Sequence, residues 1–109
     1  MNSTTSTLNF LFAKIPRRHT LDNVKEIYSI LNEYEAILKT IEAENAWYEK
    51  NTPKYFDEID TVRSLVKKST DNKASKKNKD QFFDEAAGAL KDSMQSLIEL
   101  YADGSRKTD

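Results

Sequence analysis

The strongest constraint on the fold is a heptad pattern of apolar residues between residues 21 and 49. Large apolar side chains follow one another at alternating steps of three and four positions: Val24, Ile27, Leu31, Tyr34, Leu38 and Ile41. This spacing places them on one face of an α-helix. Ile30 and Ile37 widen that face, as is typical of a helix that packs against two neighbours. The pattern predicts a helix over residues 21–49 with Thr20 as its N-cap.

A second heptad pattern occupies the C-terminal third of the chain. Its apolar positions are Phe83, Ala87, Leu90, Met94, Leu97 and Tyr101. Gly104 follows the last of them, at the position where glycine commonly ends a helix. We therefore expect a helix over residues 80–103 and an irregular tail over residues 104–109.

Shorter amphipathic segments lie at residues 8–15 and 53–68. The first places Leu8, Leu11, Phe12 and Ile15 on one helical face and ends before Pro16, which disfavours helix in the residue before it. The second opens with Thr52 as N-cap and Pro53, a common helix start. Residues 69–79 are rich in lysine and hold no large apolar side chain, so we expect a flexible linker there.

These elements predict an all-α protein with a single domain over residues 1–109. The chain has two glycines and two prolines and no alternating apolar runs, which argues against a sheet. We expect an antiparallel three- to four-helix bundle with coiled-coil-like packing. The helix at 53–68 is too short to cover the whole first seam, so another cover is needed over Val24, Ile27 and Ile30. Either the 8–15 segment folds back over them or another chain covers them.

The composition of the chain argues against several classes of catalytic, metal and binding site. The chain has no cysteine and one histidine, which excludes disulfides, a cysteine-ligated zinc site and any site that needs two histidines. A net charge of −1 provides no global field for nucleic acid. No segment reaches the roughly 18 apolar residues of a membrane span. We expect no cofactor, metal, small-molecule substrate, specific nucleic acid or membrane insertion. We expect a cytoplasmic protein. Export by a system that needs no signal peptide stays an open alternative.

The sustained seams favour a non-catalytic protein–protein interaction module, a small subunit or adaptor of a larger assembly. It would bind another protein or a second copy of itself through its apolar seams. The candidate partner-binding residues are Leu8, Phe10, Leu11, Phe12, Val24, Ile27 and Ile30. The alternative is a self-sufficient helical inhibitor or immunity-type protein that blocks a toxin or an enzyme.

His19, the single histidine, supports a third hypothesis. Arg18-His19 followed by Asn23, Ile27 and Leu31 resembles the phosphoacceptor helix of phosphorelay proteins related to sporulation phosphotransferases. The resemblance covers residues 18–31 and implies a histidine that carries phosphate on a helix pair. The chain departs from that family where Thr20 follows the histidine in place of an acid. The sequence around His19 also offers no orienting partner for acid–base chemistry.

Thr20 is a candidate phosphorylation site. Arg17-Arg18-His19-Thr20 fits the basic-basic-x-Thr pattern that basophilic kinases use. A phosphate on Thr20 would lie at the N-terminus of the predicted helix, where free N–H groups and the helix dipole favour negative charge.

Overall fold

A computed structural model describes residues 3–107 of the chain, with the surroundings of the side chains of residues 4–102. This part of the chain forms five helices: α1 (Ser3–Lys14), α2 (Leu21–Glu42), α3 (Ala46–Asn51), α4 (Pro53–Ser69) and α5 (Lys76–Lys107). No strand occurs among these residues, and the predicted all-α class is confirmed. The molecule is elongated, with extents of 52 × 23 × 17 Å.

The long helix expected over residues 21–49 is divided in two. It begins at Leu21 as predicted, and Thr20 is its N-cap: the Thr20 Oγ1 accepts a hydrogen bond of 3.0 Å from the Asn23 backbone N–H. It ends at Glu42, however, because Asn45 starts a new helix. The Asn45 side chain accepts a hydrogen bond of 3.0 Å from the Tyr48 N–H. A short polar side chain that caps the backbone this way favours a helix start over a helix interior.

The next helix, α4, occupies the predicted range almost without change. Thr52 occupies the N-cap position of α4 as predicted, but without a side-chain capping hydrogen bond. Its backbone is helical, and its hydroxyl donates a hydrogen bond of 2.8 Å to the Tyr48 carbonyl of α3. The hydroxyl thus links α3 to the start of α4, and Pro53 follows as the first residue of α4.

The C-terminal helix is longer at both ends than predicted. The Ser75 Oγ accepts a hydrogen bond of 3.1 Å from the Asn78 N–H, so α5 begins at Lys76. The expected linker over residues 69–79 is therefore reduced to residues 70–75. The predicted stop at Gly104 is wrong, and the tail expected from residue 104 is helical to Lys107. A glycine ends a helix in the left-handed conformation, and no glycine among the described residues has a positive φ. Residues 108–109 lie outside the described range.

The N-terminal segment is a longer helix than the predicted 8–15. Helix α1 begins at Ser3, ends before Pro16, and packs against α2 and α5. Its residues Leu8 and Leu11 are fully buried, and they belong to the same apolar core as the α2 seam. The sequence leaves open whether the 8–15 segment or another chain covers Val24, Ile27 and Ile30. In the structure α1, which contains that segment, packs against α2 and shares its core.

Polar pairs between helices define their directions. The Tyr55 hydroxyl lies 2.9 Å from the Ser96 Oγ, and the Lys68 ammonium lies over the Phe82 ring. Helices α4 and α5 are therefore antiparallel, and their contact is the most extensive between any two helices of the described residues. The Arg63 guanidinium bridges from α4 to α2, binding both oxygens of Glu35 at 3.2 and 3.3 Å. This two-pronged contact holds the pKa of Glu35 below its ordinary value.

Buried tyrosines set the register of α5. The Tyr34 hydroxyl of α2 lies 2.9 Å from the Ser93 Oγ, and burial raises the pKa of Tyr34 well above its ordinary value. At the far end of the molecule the Tyr48 hydroxyl donates a hydrogen bond of 3.0 Å to the Tyr101 carbonyl. Sliding α5 along its neighbours would leave these buried hydroxyls unpaired, which costs about 1–3 kcal/mol for each group.

Candidate functional site

The connector at residues 15–20 is fixed at both ends. Ile15 is buried in the core, with 6% of its surface exposed. At the other end the Asn23 side-chain amide donates a hydrogen bond of 2.7 Å to the Arg18 carbonyl, next to the Thr20 cap. A connector anchored on both sides presents its remaining side chains in a defined geometry.

His19 is held against the start of α5. Its Nδ1 lies 3.2 Å from the Asp80 Oδ1, and its ring centroid lies 5.4 Å from that of Phe83. The other Asp80 oxygen accepts a hydrogen bond of 3.0 Å from the Lys76 ammonium. Lys76 first, and His19 after it, hold the pKa of Asp80 below its ordinary value. The expectation that His19 lacks an orienting partner is therefore wrong. Asp80 is that partner, from 61 positions away in the chain.

A shallow depression of about 380 Å³ lies beside this pair. Its lining residues come from the connector and from the start of α5: Arg17, Arg18, His19, Thr20, Lys76, Asp80 and Asp84. Three of these side chains are cationic, and two are acidic. The N-termini of α2 and α5 also meet here, each of which carries a partial positive charge.

Among the described residues, the unpaired charges of the depression are the two arginines and Asp84, so positive charge is in excess. Asp80 is already engaged by Lys76 and His19. Within the described part of the chain the Arg17 and Arg18 side chains form no ion pair, and both are exposed. Unpaired guanidinium groups bind phosphate and carboxylate oxygens well, because their donors match the spacing of those oxygens. The arrangement can therefore hold an anion.

The contact between Nδ1 and Asp80 fixes the orientation of the His19 ring. In the neutral tautomer that donates Nδ1–H to Asp80, Nε2 carries the lone pair. The side chain is 18% exposed. The phosphotransfer hypothesis for His19 thus gains an orienting carboxylate, and it stays a prediction.

The seven residues predicted to bind a partner separate into two groups. Six belong to the molecule's own core or pack against it: Leu8, Leu11, Phe12, Val24, Ile27 and Ile30. Only Phe10 is exposed, at 64% of its surface, with the Lys14 ammonium 5.3 Å from its ring centroid. Binding through the six covered residues requires α1 to leave α2 and α5. Their role in binding stays a prediction.

Sequence reasoning overlooked Leu21. This first residue of α2 is 82% exposed, the most exposed large apolar side chain among the described residues. It lies outside the heptad seam, immediately after Thr20, and its position next to the basic connector was the signal that could have identified it.

Two other depressions lie along α4. One, of about 510 Å³, surrounds Lys67 and Lys68 at the C-terminal end of the helix. The other, of about 350 Å³, lies between α4 and α5 and is lined in part by Glu58, whose buried Oε1 has no hydrogen-bond partner. Asp71 lines the same depression as the two lysines, and the carbonyls at this end of α4 oppose an incoming anion. Neither depression combines charge and anchoring as the connector does.

No protein-family model, curated protein or solved structure matches the chain. None of the helices in residues 3–107 is both long enough and apolar enough to cross a membrane. The same residues contain no group of three or more histidine or acidic side chains that could hold a metal ion.

Proposed function

We propose that the chain is a self-contained, non-catalytic protein-binding domain that contacts its partner through its outer surface. The burial of Val24, Ile27 and Ile30 in the same core as α1 supports this proposal. A subunit that binds another chain through these seams would leave those residues exposed to solvent when it is alone. The observation therefore favours the inhibitor or immunity-type form of the interaction hypothesis over the adaptor form.

We further propose that residues 1–109 fold as one four-helix bundle with coiled-coil-like packing. Helices α1 and α4 would run in one direction, α2 and α5 in the other, with α3 as a short insertion. The antiparallel pairing of α4 with α5 and the bridge from Arg63 to Glu35 support this arrangement. The cytoplasmic location expected from the sequence stays a prediction.

The first experiment measures the mass of the purified chain by light scattering on a size-exclusion column, together with a thermal melt followed by circular dichroism. A closed core predicts a monomer that unfolds in one cooperative transition. A stable dimer, or a gradual loss of helix without a transition, would contradict the proposal of a self-contained domain. Either result would favour the adaptor hypothesis instead.

The second experiment locates the contact surface. Phe10 is the exposed member of the predicted binding residues, so a photo-crosslinking amino acid at position 10 should capture the partner in an extract of the source cells. The matched control is the same amino acid at Gln95, which is exposed on α5. Equal capture from both positions would remove Phe10 from the proposed surface.

A second candidate function is phosphoryl transfer through His19, which the contact with Asp80 favours. Incubation with acetyl phosphate should then give an acid-labile phosphate on His19, and Asp80→Asn should slow its formation. Absence of such a phosphate in the wild-type chain would end this hypothesis and leave the binding proposal unaffected.

A further inference from the structure

We propose that Thr20 is phosphorylated by a basophilic serine/threonine kinase and that the cationic side chains around the connector then hold the phosphate. This proposal goes beyond the binding function and does not depend on it. It rests on the exposure of residues 17–21 and on the cluster of charges around Thr20.

The segment presents the features that such a kinase reads. Arg17 and Arg18 are exposed three and two positions before the hydroxyl, where basophilic kinases place acidic pockets. Thr20 is exposed and extended, with φ −137° and ψ 162°, the backbone shape in which kinases bind their substrates. Leu21 follows, and an apolar side chain after the hydroxyl suits the same enzymes. The Leu21 side chain is 82% exposed and is not part of the core, so it is accessible to a kinase.

The reaction itself is ordinary phosphoryl transfer. The Thr20 Oγ1 attacks the γ-phosphorus of MgATP, and the bond from that phosphorus to the bridging oxygen breaks to release ADP. The hydroxyl proton passes to the catalytic aspartate of the kinase. The hydrogen bond from the Asn23 N–H to Thr20 must open while the kinase is bound, as the first turn of a helix readily does.

The product would lie among complementary charges. A phosphothreonine carries close to two negative charges at neutral pH. The depression that Thr20 lines also holds Arg17, Arg18 and Lys76. Of the two acids there, Asp80 is already paired with Lys76 and His19, and Asp84 forms no ion pair with Arg17 or Arg18. The arginines are thus free to bind the new oxygens, and Lys76 can share its charge between Asp80 and the phosphate.

The chain contains a matched control at Thr70. Lys67-Lys68-Ser69-Thr70 repeats the basic-basic-x-Thr pattern. Ser69 is fully buried, however, and an acid, Asp71, follows in place of an apolar residue. Thr70 also lies at the C-terminal end of α4, where the helix dipole opposes a phosphate. The basic-basic-x-Thr pattern does not separate the two threonines, but the residue after each threonine and their structural positions do.

The test uses the full-length folded chain, MgATP and a purified basophilic kinase, with intact mass and peptide mapping as readouts. We expect one phosphate, on Thr20. Thr20→Ala should remove it and Thr70→Ala should leave it unchanged. Replacing both Arg17 and Arg18 by alanine should slow the reaction by about tenfold or more. Modification of Thr70 would overturn the proposal. So would modification of a synthetic peptide of residues 13–25 when the folded chain is left untouched.

A second measurement tests how the phosphate is held. The phosphorylated chain should melt about 4 °C above the unmodified chain at low salt. Lys76→Ala or high salt should reduce that increase by half or more, because both weaken the charge around the phosphate. A melting temperature equal to or below that of the unmodified chain would overturn the phosphate-holding cluster.

Discussion

The same short pattern, two basic residues, one further residue and a threonine, ends the connector at residues 15–20 and leads into the loop at residues 70–75, yet the structure holds the two segments differently. The connector reaches across the molecule, since His19 contacts Asp80 and Ile15 enters the core. The hydrogen bonds of residues 70–74 in the described part of the chain join positions no more than three apart. Long-range partners, rather than local sequence, decide which segment is fixed.

The comparison also concerns charge. Thr20 begins a helix, and Thr70 ends one. The same side chain therefore meets unpaired N–H groups in the connector and unpaired carbonyls in the loop. Thr20 lies at the positive end of the α2 dipole, and Thr70 lies at the negative end of the α4 dipole.

The largest expected difference between the two segments is in anchoring. Ile15→Ala removes a buried side chain from the core and should lower the free energy of unfolding by about 3 kcal/mol. Ala74→Gly, the matched change in the loop, should cost less than about 1 kcal/mol. Urea denaturation followed by circular dichroism measures both. Similar losses for the two variants would show that the loop is anchored as firmly as the connector.

The next effect comes from the cap. Thr20→Ala leaves the Asn23 N–H without its acceptor and should lower the free energy of unfolding by about 1 kcal/mol. Thr70→Ala should cost less than about 0.5 kcal/mol, because its hydroxyl donates to a carbonyl at an exposed helix end. Thr20→Ser should keep most of the stability. If serine proved as damaging as alanine, the cap would not be the cause.

A smaller effect, of opposite sign at the two sites, tests the dipole. Thr20→Asp should stabilise the protein by about 0.5 kcal/mol, and Thr70→Asp should destabilise it by a similar amount. Thermal melts at low and high salt measure this, and salt should shrink both shifts. Shifts of the same sign would contradict the placement of Thr20 and Thr70 at opposite ends of helix dipoles.

The smallest effect concerns pH, because the ion pair at Asp80 is open to solvent. The folded-state pKa of Asp80 lies below its ordinary value of 3.8, so its contribution to stability is present above that pH and is lost as the pH falls through the folded-state pKa. The difference in stability between the wild-type chain and Asp80→Asn should therefore shrink below about pH 4. Asp71→Asn in the loop provides the control. An equal pH dependence for both variants would contradict a specific role for Asp80.

The apolar pattern predicted the helices but not all of their ends. The steps of three and four identified α2, α4 and α5, because burial of one face is read directly from spacing. The break before α3 was overlooked because Asn45, four residues after Ile41, continues the steps of three and four. Only its side-chain bond to the Tyr48 N–H shows that it is a cap. The first turn of α5 was overlooked because its exposed lysines carry no apolar period.

The candidate site could be predicted only in part. The cap at Thr20 and the basic residues before it are local, so the sequence contains them. The contact between His19 and Asp80 joins residues 61 positions apart and depends on the direction of α5 relative to α2. A sequence pattern carries no information on that direction. The position of Leu21 outside the seam is readable from the sequence, but the extent of its exposure is visible only in the structure.

The single tryptophan of the chain lies in α3, at the opposite end of α2 from the connector. Its ring meets that of Tyr48 at 5.4 Å, and the Tyr48 ring stacks on Tyr101 at 5.3 Å. Trp47 emission is therefore a local optical signal from one end of a helix roughly 33 Å long. Far-ultraviolet dichroism averages over all the helices instead. If the two signals change together during unfolding, the ends of the molecule open as one unit; if emission changes first, the tryptophan end opens before the rest.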